Sequence, residues 1–139
     1  MKIIVNTRVI FSAVQKEHQI SAINNIIYSE TIANIGNGMN PDTGVFTTPV
    51  SGIYYFSFSA CIDATVSHIT YIFVKKNGKN QIRISSRDNE DNANFANIGY
   101  SWTMSLVQND QIQLTITDGG LQVYNDAYIW FNGNLLMKE

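Results

Sequence analysis

The chain has 139 residues, is 45% hydrophobic but only 14% charged, and carries a formal net charge of −2. That length suits one domain with a core of its own, spanning 1–139. No basic run stands out, so nucleic acid is not expected as a main partner. No stretch approaches the ~20 apolar residues of a membrane-spanning helix, so membrane insertion is not expected.

The N-terminus, MKIIVNTRVIF, has an apolar run broken by Asn6, Thr7 and Arg8. That run is too short for a secretory signal. No Asn-x-Ser/Thr acceptor occurs, and the single Cys61 has no internal partner for a disulfide. Low charge with plentiful Asn, Thr, Ser and Gln is a compositional hint of an extracellular all-β module. Residues 9–14 alternate as a strand, followed by a polar turn from Gln15 to Gln19 that contains His18. Ile26, Ile27 and Tyr28 are β-prone, and Thr31 to Ile35 reads as a short strand.

The stretch from Asn34 to Ala60, NIGNGMNPDTGVFTTPVSGIYYFSFSA, carries most of the pattern. Gly36, Gly38, Pro41 and Gly44 are turn formers among Asn and Asp. Val45-Phe46 is a short strand, and Ser51-Gly52 turns into a long one. On that strand Tyr54, Phe56, Phe58 and Ala60 share one face, and Tyr55, Ser57, Ser59 and Cys61 the other. The aromatic face is expected in the core.

Further on, Ile69, Tyr71 and Phe73 alternate with Ile72 and Val74. Asn77-Gly78 is the strongest hairpin signal, and the return strand from Gln81 to Ser86 points Ile82 and Ile84 inward. A polar loop from Ser86 to Asn94 follows. Tyr100, Trp102, Met104 and Leu106 share a face of the next strand, for which core or symmetry-axis packing is expected. Ile112, Leu114 and Ile116 alternate with polar neighbours. A last strand runs from about Asp126 to Leu136. About ten short strands without a helical period predict a β-sandwich.

The spacing G-x-F-x-x-P-x-x-G-x-Y-x-F is met at Gly44, Phe46, Pro49, Gly52, Tyr54 and Phe56. It resembles the signature of the C1q globular domain, a branch of the tumour-necrosis-factor-like superfamily. Phe11-Ser12-Ala13 resembles that family's first strand and Lys76-Asn77-Gly78 its mid-domain hairpin. Ser105-Leu106 with Asp110 resembles a late strand and turn, and Phe131, Gly133, Leu135 and Leu136 the closing strand. The resemblance covers about residues 9–136. Met39 stands where many members have Tyr, Asn109 where Gly is usual, and Asn134 where an aromatic is usual. The resemblance implies a ten-stranded jelly roll, a homotrimer, no catalysis and an extracellular setting. No Gly-x-y repeat is present, so the chain has no collagen-like stalk.

No catalytic motif is present, and the only histidines, His18 and His68, are far apart. Asp88, Glu90 and Asp91 form an acidic loop of the kind that can ligate calcium. Some C1q-domain proteins hold calcium at this loop, although its plain reading is a solvated turn. No cofactor is required. Tyr124, Asn125, Asp126 and Trp130, with Tyr128, combine aromatic faces and polar partners of the sort that line sugar sites. Trp130 lies opposite Phe131, so burial in a trimer interface and ligand contact are both open to it. Ile72, Val74, Tyr55 and Trp130 are the candidates for apolar surface beyond one core, which marks an interface. The turn sequence is close to that of stand-alone invertebrate C1q-domain proteins, several of them innate-immune lectins. The expected function is therefore carbohydrate or glycoprotein recognition, on microbial or acidic glycans. The alternative is a trimerising protein-binding module with no glycan ligand.

Overall fold

The long strands each sort their side chains into an apolar and a polar face, and burying the apolar faces against one another sets the architecture. The structure is a computed structural model that describes residues 7–87, 96–124 and 126–139. In chain order the strands are β1 (Ile10–Gln15), β2 (Ile20–Ser21), β3 (Asn24–Asn25), β4 (Glu30–Ile35), β5 (Met39–Asn40), β6 (Val45–Thr47), β7 (Gly52–Ile62), β8 (Ile69–Lys76), β9 (Lys79–Arg87), β10 (Ala96–Leu106), β11 (Gln111–Asp118), β12 (Gly120–Gln122) and β13 (Ile129–Lys138).

Two antiparallel sheets result. The first runs β4-β1-β13-β7-β10; β12 lies beside β7 beyond the start of β13, and β2 pairs with β12. The second runs β5-β6-β11-β8-β9, with β3 beside β11. This is the expected all-β jelly-roll sandwich. Short pieces such as β2, β3, β5 and β12 extend the ladders beyond the strands foreseen.

Between the sheets lies one apolar layer. Phe11, Tyr54, Phe56, Phe58, Trp102 and Phe131 enter it from the first sheet; Phe46, Ile72, Val74, Ile112, Leu114 and Ile116 enter from the second. Phe56 is the hub. Its ring centroid lies 5.6 Å from Trp102, 5.8 Å from Phe46 and from Phe131, 6.2 Å from Tyr54 and 6.3 Å from Phe11. Tilted, edge and stacked pairs at these distances add ~0.5–1.5 kcal/mol each beyond area burial. Tyr54 keeps its polar tip satisfied by donating to the Val50 carbonyl at 2.6 Å. Gly133 sits where a Cβ would collide with the Phe11 ring and come within 2.8 Å of Phe56 Cδ1, so only glycine lets β13 lie this close to the aromatic cluster.

The hairpin turn at Asn77-Gly78 has positive φ at both residues, 52° and 80°, the geometry of a type I′ turn. A second turn docks against it. The Asp110 carboxylate accepts from the Asn77 side-chain amide at 3.0 Å and from the Val107 N–H at 2.9 Å, with Lys76 Nζ 3.9 Å away. Burial pushes the Asp110 carboxyl up, but these donors and the lysine charge more than offset that and hold it below the usual carboxylate range. Asn109, one residue earlier, has φ of 74°. That left-handed backbone explains why glycine is the expected residue there and why asparagine is tolerated.

Several expectations need correction. The β-prone Ile26 and Tyr28 are buried without joining a strand, their N–H groups going separately to the carbonyls of Leu114 and Pro41. The last strand starts at Ile129, three residues later than expected; the Ala127 N–H just before it donates to Tyr124 O rather than to a neighbouring strand. Ile72 and Val74 are not surplus apolar surface. They pair in register with Ile116 and Leu114 and are fully buried. Tyr71 and Phe73 occupy the outer face instead, half-buried. Trp102 is buried in the core, one of the two placements expected for its row, and Tyr100, two residues earlier, is 49% exposed in the single chain. The acidic residues Asp88, Glu90 and Asp91, and also Asn125, lie outside the described residues.

Candidate recognition groove

On the outer side of the first sheet, register sets out rows of side chains across β1, β13, β7 and β10. One row is Ile10–Asn134–Tyr55–Thr103, the next Ser12–Asn132–Ser57–Ser101, and the third Val14–Trp130–Ser59–Gly99. None of these residues is charged. The middle row is a polar ladder, in which the Ser12 hydroxyl donates to Asn132 Oδ1 at 2.5 Å and Asn132 Nδ2 donates to Ser57 Oγ at 3.4 Å. Ile35 extends the first row on β4, beside Ile10. Ile10, Ile35 and Tyr55 make the apolar end of the face, each more than a third exposed.

The third row forms a groove of about 350 Å³ at the other end of the face. Trp130 is its wall. Ser59 and Gly99, small residues opposite one another, are its floor. Asn97 and Cys61 form the next row along, with Gln122 Nε2 3.2 Å from the Cys61 sulfur. Asp126, Ala127 and Tyr128 close the rim. Asp126 takes φ of 64°, and its Oδ1 accepts from the Tyr128 hydroxyl at 3.0 Å. That hydrogen bond, reinforced by the Asp126 charge, pushes the phenol above its ordinary range. Lys16 Nζ sits 5.6 Å from the centre of the Tyr128 ring and 2.7 Å from Glu30. The bond to Glu30 raises the lysine's pKa despite its partial desolvation.

Of the residues singled out from sequence, Asp126, Tyr128 and Trp130 converge on this groove. Tyr124 does not line it: its side chain is exposed. Asn97, Ser59 and Gly99 were not anticipated. Alternation placed Ser59 on the outer face of its strand, but only the pairing of β10 with β7 brings Gly99 and Asn97 beside it. Among the described residues, the groove has one carboxylate, Asp126, and no histidine. The groove thus combines an aromatic wall with a few placed polar groups, the Ser59 hydroxyl, the Asn97 amide and the Asp126 carboxylate. Among the described residues, no group of three or more His, Cys, Asp or Glu is placed to hold a metal ion. No helix among them is long and apolar enough to cross a membrane.

Comparison with known proteins agrees with this architecture. The family model for the C1q domain matches residues 10–136. Complement C1q tumor necrosis factor-related protein 3 is 27% identical over 131 residues in Mus musculus and 27% identical over 135 residues in Homo sapiens. Each match takes in 94% of this chain and 52% of the relative, so the chain spans about half the length of these curated relatives. Among solved structures, the globular domain of zebrafish complement 1qA protein superposes with a TM-score of 0.76 at 18% identity, covering 96% of this chain and all of that one. Murine APRIL superposes with a TM-score of 0.70 at 13% identity, covering 94% of this chain and all of that one. At those identities the likeness is one of fold. The aromatic signature, the strand order and the family match over residues 10–136 converge, and this chain belongs to the C1q domain family.

Proposed function

We propose that this chain is a non-catalytic recognition domain that assembles as a homotrimer and binds carbohydrate, free or on a glycoprotein, in the groove beside Trp130. The observation that carries the reading is the row Trp130–Ser59–Gly99 with Asp126 and Tyr128 at its rim. A sugar ring laid on the small floor presents its C–H face to the indole and its hydroxyls to Ser59, Asn97 and Asp126. The groove's volume lies in the usual range for small-ligand sites.

Assembly uses the rest of the same face. Interfaces between copies are depleted in charge at their centre, and the rows through Asn134 and Asn132 carry none. Three grooves on one trimer turn weak binding into avidity, with gains of up to ~10²–10⁴ on a surface of matched spacing. The setting that fits such a role is extracellular, and the natural targets are microbial or acidic glycans. Calcium held by Asp88, Glu90 and Asp91 is a separate element of this reading, independent of the groove.

A glycan-array screen of the purified protein, in calcium and then in chelator, with Trp130→Ala alongside, tests it. Expected is binding by the parent and at least a tenfold loss in the variant. Loss on chelation in the parent supports the calcium element; persistence removes calcium and keeps the groove. No binding in either condition refutes the carbohydrate reading. The uncharged face then favours the second reading, a trimerising module for a protein partner.

A further inference from the structure

The groove beside Trp130 has a charge of one sign. Among the described residues that line it, Asp126 alone is charged, and no Lys or Arg is present. Nor does the sequence hold a Lys or Arg at 88–95 or at 125. Lys16, over the Tyr128 ring, does not line the groove, and its ammonium is held by Glu30 at 2.7 Å. Among the described residues, no cation forms an ion pair with Asp126.

The carboxylate is held in place and still has room for a partner. The Tyr128 hydroxyl donates to Asp126 Oδ1 at 3.0 Å. One hydrogen bond leaves other acceptor sites on the carboxylate, and an ionised carboxylate has no proton to give. The indole of Trp130 is half-buried in a row whose next members, Ser59 and Gly99, are small. The cation–π contacts among the described residues use Tyr128 and Tyr71, so no cation of the chain occupies the indole face.

These features rank the rings that the groove can hold. An acidic sugar meets a carboxylate and finds no cation to offset the repulsion. A neutral sugar finds partners for its hydroxyls in Ser59, Asn97 and Asp126. A sugar with an ammonium group gains two further attractions, one to the carboxylate and one to the indole, the aromatic face that holds cations best.

We infer that the groove selects amino sugars, hexoses bearing a free ammonium group, over their neutral, N-acetylated and acidic counterparts, with Asp126 and Trp130 setting the specificity. This rests on the carbohydrate reading of the groove and narrows it: acidic glycans are disfavoured at this site.

The test compares glucosamine, N-acetylglucosamine, glucose and glucuronic acid as ligands of the full chain. Kd is read from the Trp130 indole N–H resonance, in buffer a little below neutral pH where the free amine is a cation. Ethanolamine supplies the ammonium without the ring. Glucosamine is expected to bind about five- to tenfold more tightly than glucose, the size of one exposed ion pair with one cation–π contact. Glucuronic acid should be the weakest. Added salt should shrink the glucosamine-to-glucose ratio, because screening acts on the charged ligand. Asp126 has φ of 64°, a backbone that asparagine tolerates, and an asparagine Oδ1 can still accept from Tyr128. Asp126→Asn therefore keeps the turn, and its ratio should fall towards one.

Equal affinity for glucose and glucosamine overturns the selection for the amine and leaves the carbohydrate reading standing. So does tighter binding of glucuronic acid, or a ratio unmoved by both salt and Asp126→Asn. Ethanolamine binding as tightly as glucosamine overturns the sugar as the recognised unit. Saturable binding by no sugar of the series overturns the carbohydrate reading, and the selection with it.

Discussion

Phe56→Ala removes the ring that five other aromatic side chains touch. The side chain is fully buried, and Trp102, Phe46, Phe131, Tyr54 and Phe11 have ring centroids within 6.3 Å of it. Truncating a buried Phe costs ~3–5 kcal/mol, with the upper end expected where the cavity cannot collapse. Rigid rings from both sheets surround this site, so little collapse is expected and the loss should be about 4–5 kcal/mol. Unfolding entropies of ~2.1 cal/mol/K per residue give about 0.3 kcal/mol/K for a chain of this length, so Tm should fall by about 13–17 °C. Calorimetry at one fixed protein concentration measures this, since oligomer melting depends on concentration. Tyr55→Ala, one residue away on the outer face, is the matched comparison and should cost less than Phe56→Ala, any loss coming from the assembly face rather than from the core. A Phe56→Ala loss of less than about 1.5 kcal/mol, or a larger loss at Tyr55, would refute the alternation assigned to β7.

Three other perturbations probe separate parts. Ser57→Arg puts an unpaired charge in the middle of the polar ladder with Asn132; buried in an assembly it costs ~3–5 kcal/mol. Sedimentation should then show a folded monomer in place of the proposed trimer, and an unchanged mass would remove this face from the interface. Tyr28→Phe deletes a buried hydroxyl that has no hydrogen-bond partner among the described residues; stability should rise by about 1 kcal/mol, and a loss of that size would show that the hydroxyl is satisfied. The Asp110 carboxyl titrates below its ordinary range in the fold, so its stabilisation is fully present above the unfolded-state pKa and disappears as pH falls through the folded one. Asp110→Asn should therefore be less stable than the parent at neutral pH, with the gap closing in acid. A gap that is constant from neutral pH into acid, measured by denaturant melts, would contradict this.

How far the chain could be read depended on whether a feature is local. β7, β10 and β11 alternate over eight or more residues, and their strands and turns follow from that pattern. Strands of two or three residues such as β2, β3 and β12 have no period to read; pairing with a neighbour makes them strands. On β8 alternation separated Tyr71 and Phe73 from Ile72 and Val74, but both sets are apolar. The core face was decided by β11, where Ile116 and Leu114 meet Ile72 and Val74. The groove divides the same way. Asp126, Tyr128 and Trp130 lie within five residues and were visible as a cluster, whereas Ser59, Gly99 and Asn97 join them only through cross-strand register.

The chain has two tryptophans, one buried in the core at Trp102 and one half-buried on the groove wall at Trp130. Their indole N–H resonances are therefore separate reporters of the two places. A titration of labelled protein with a panel of neutral and acidic monosaccharides, at high millimolar concentration and followed by two-dimensional NMR, tests carbohydrate recognition at the groove most directly. The expected result is a saturable shift of the Trp130 indole signal by at least one sugar, with the Trp102 signal unmoved. No saturable shift of Trp130 with any sugar, or a shift of Trp102 alone, would contradict the assignment.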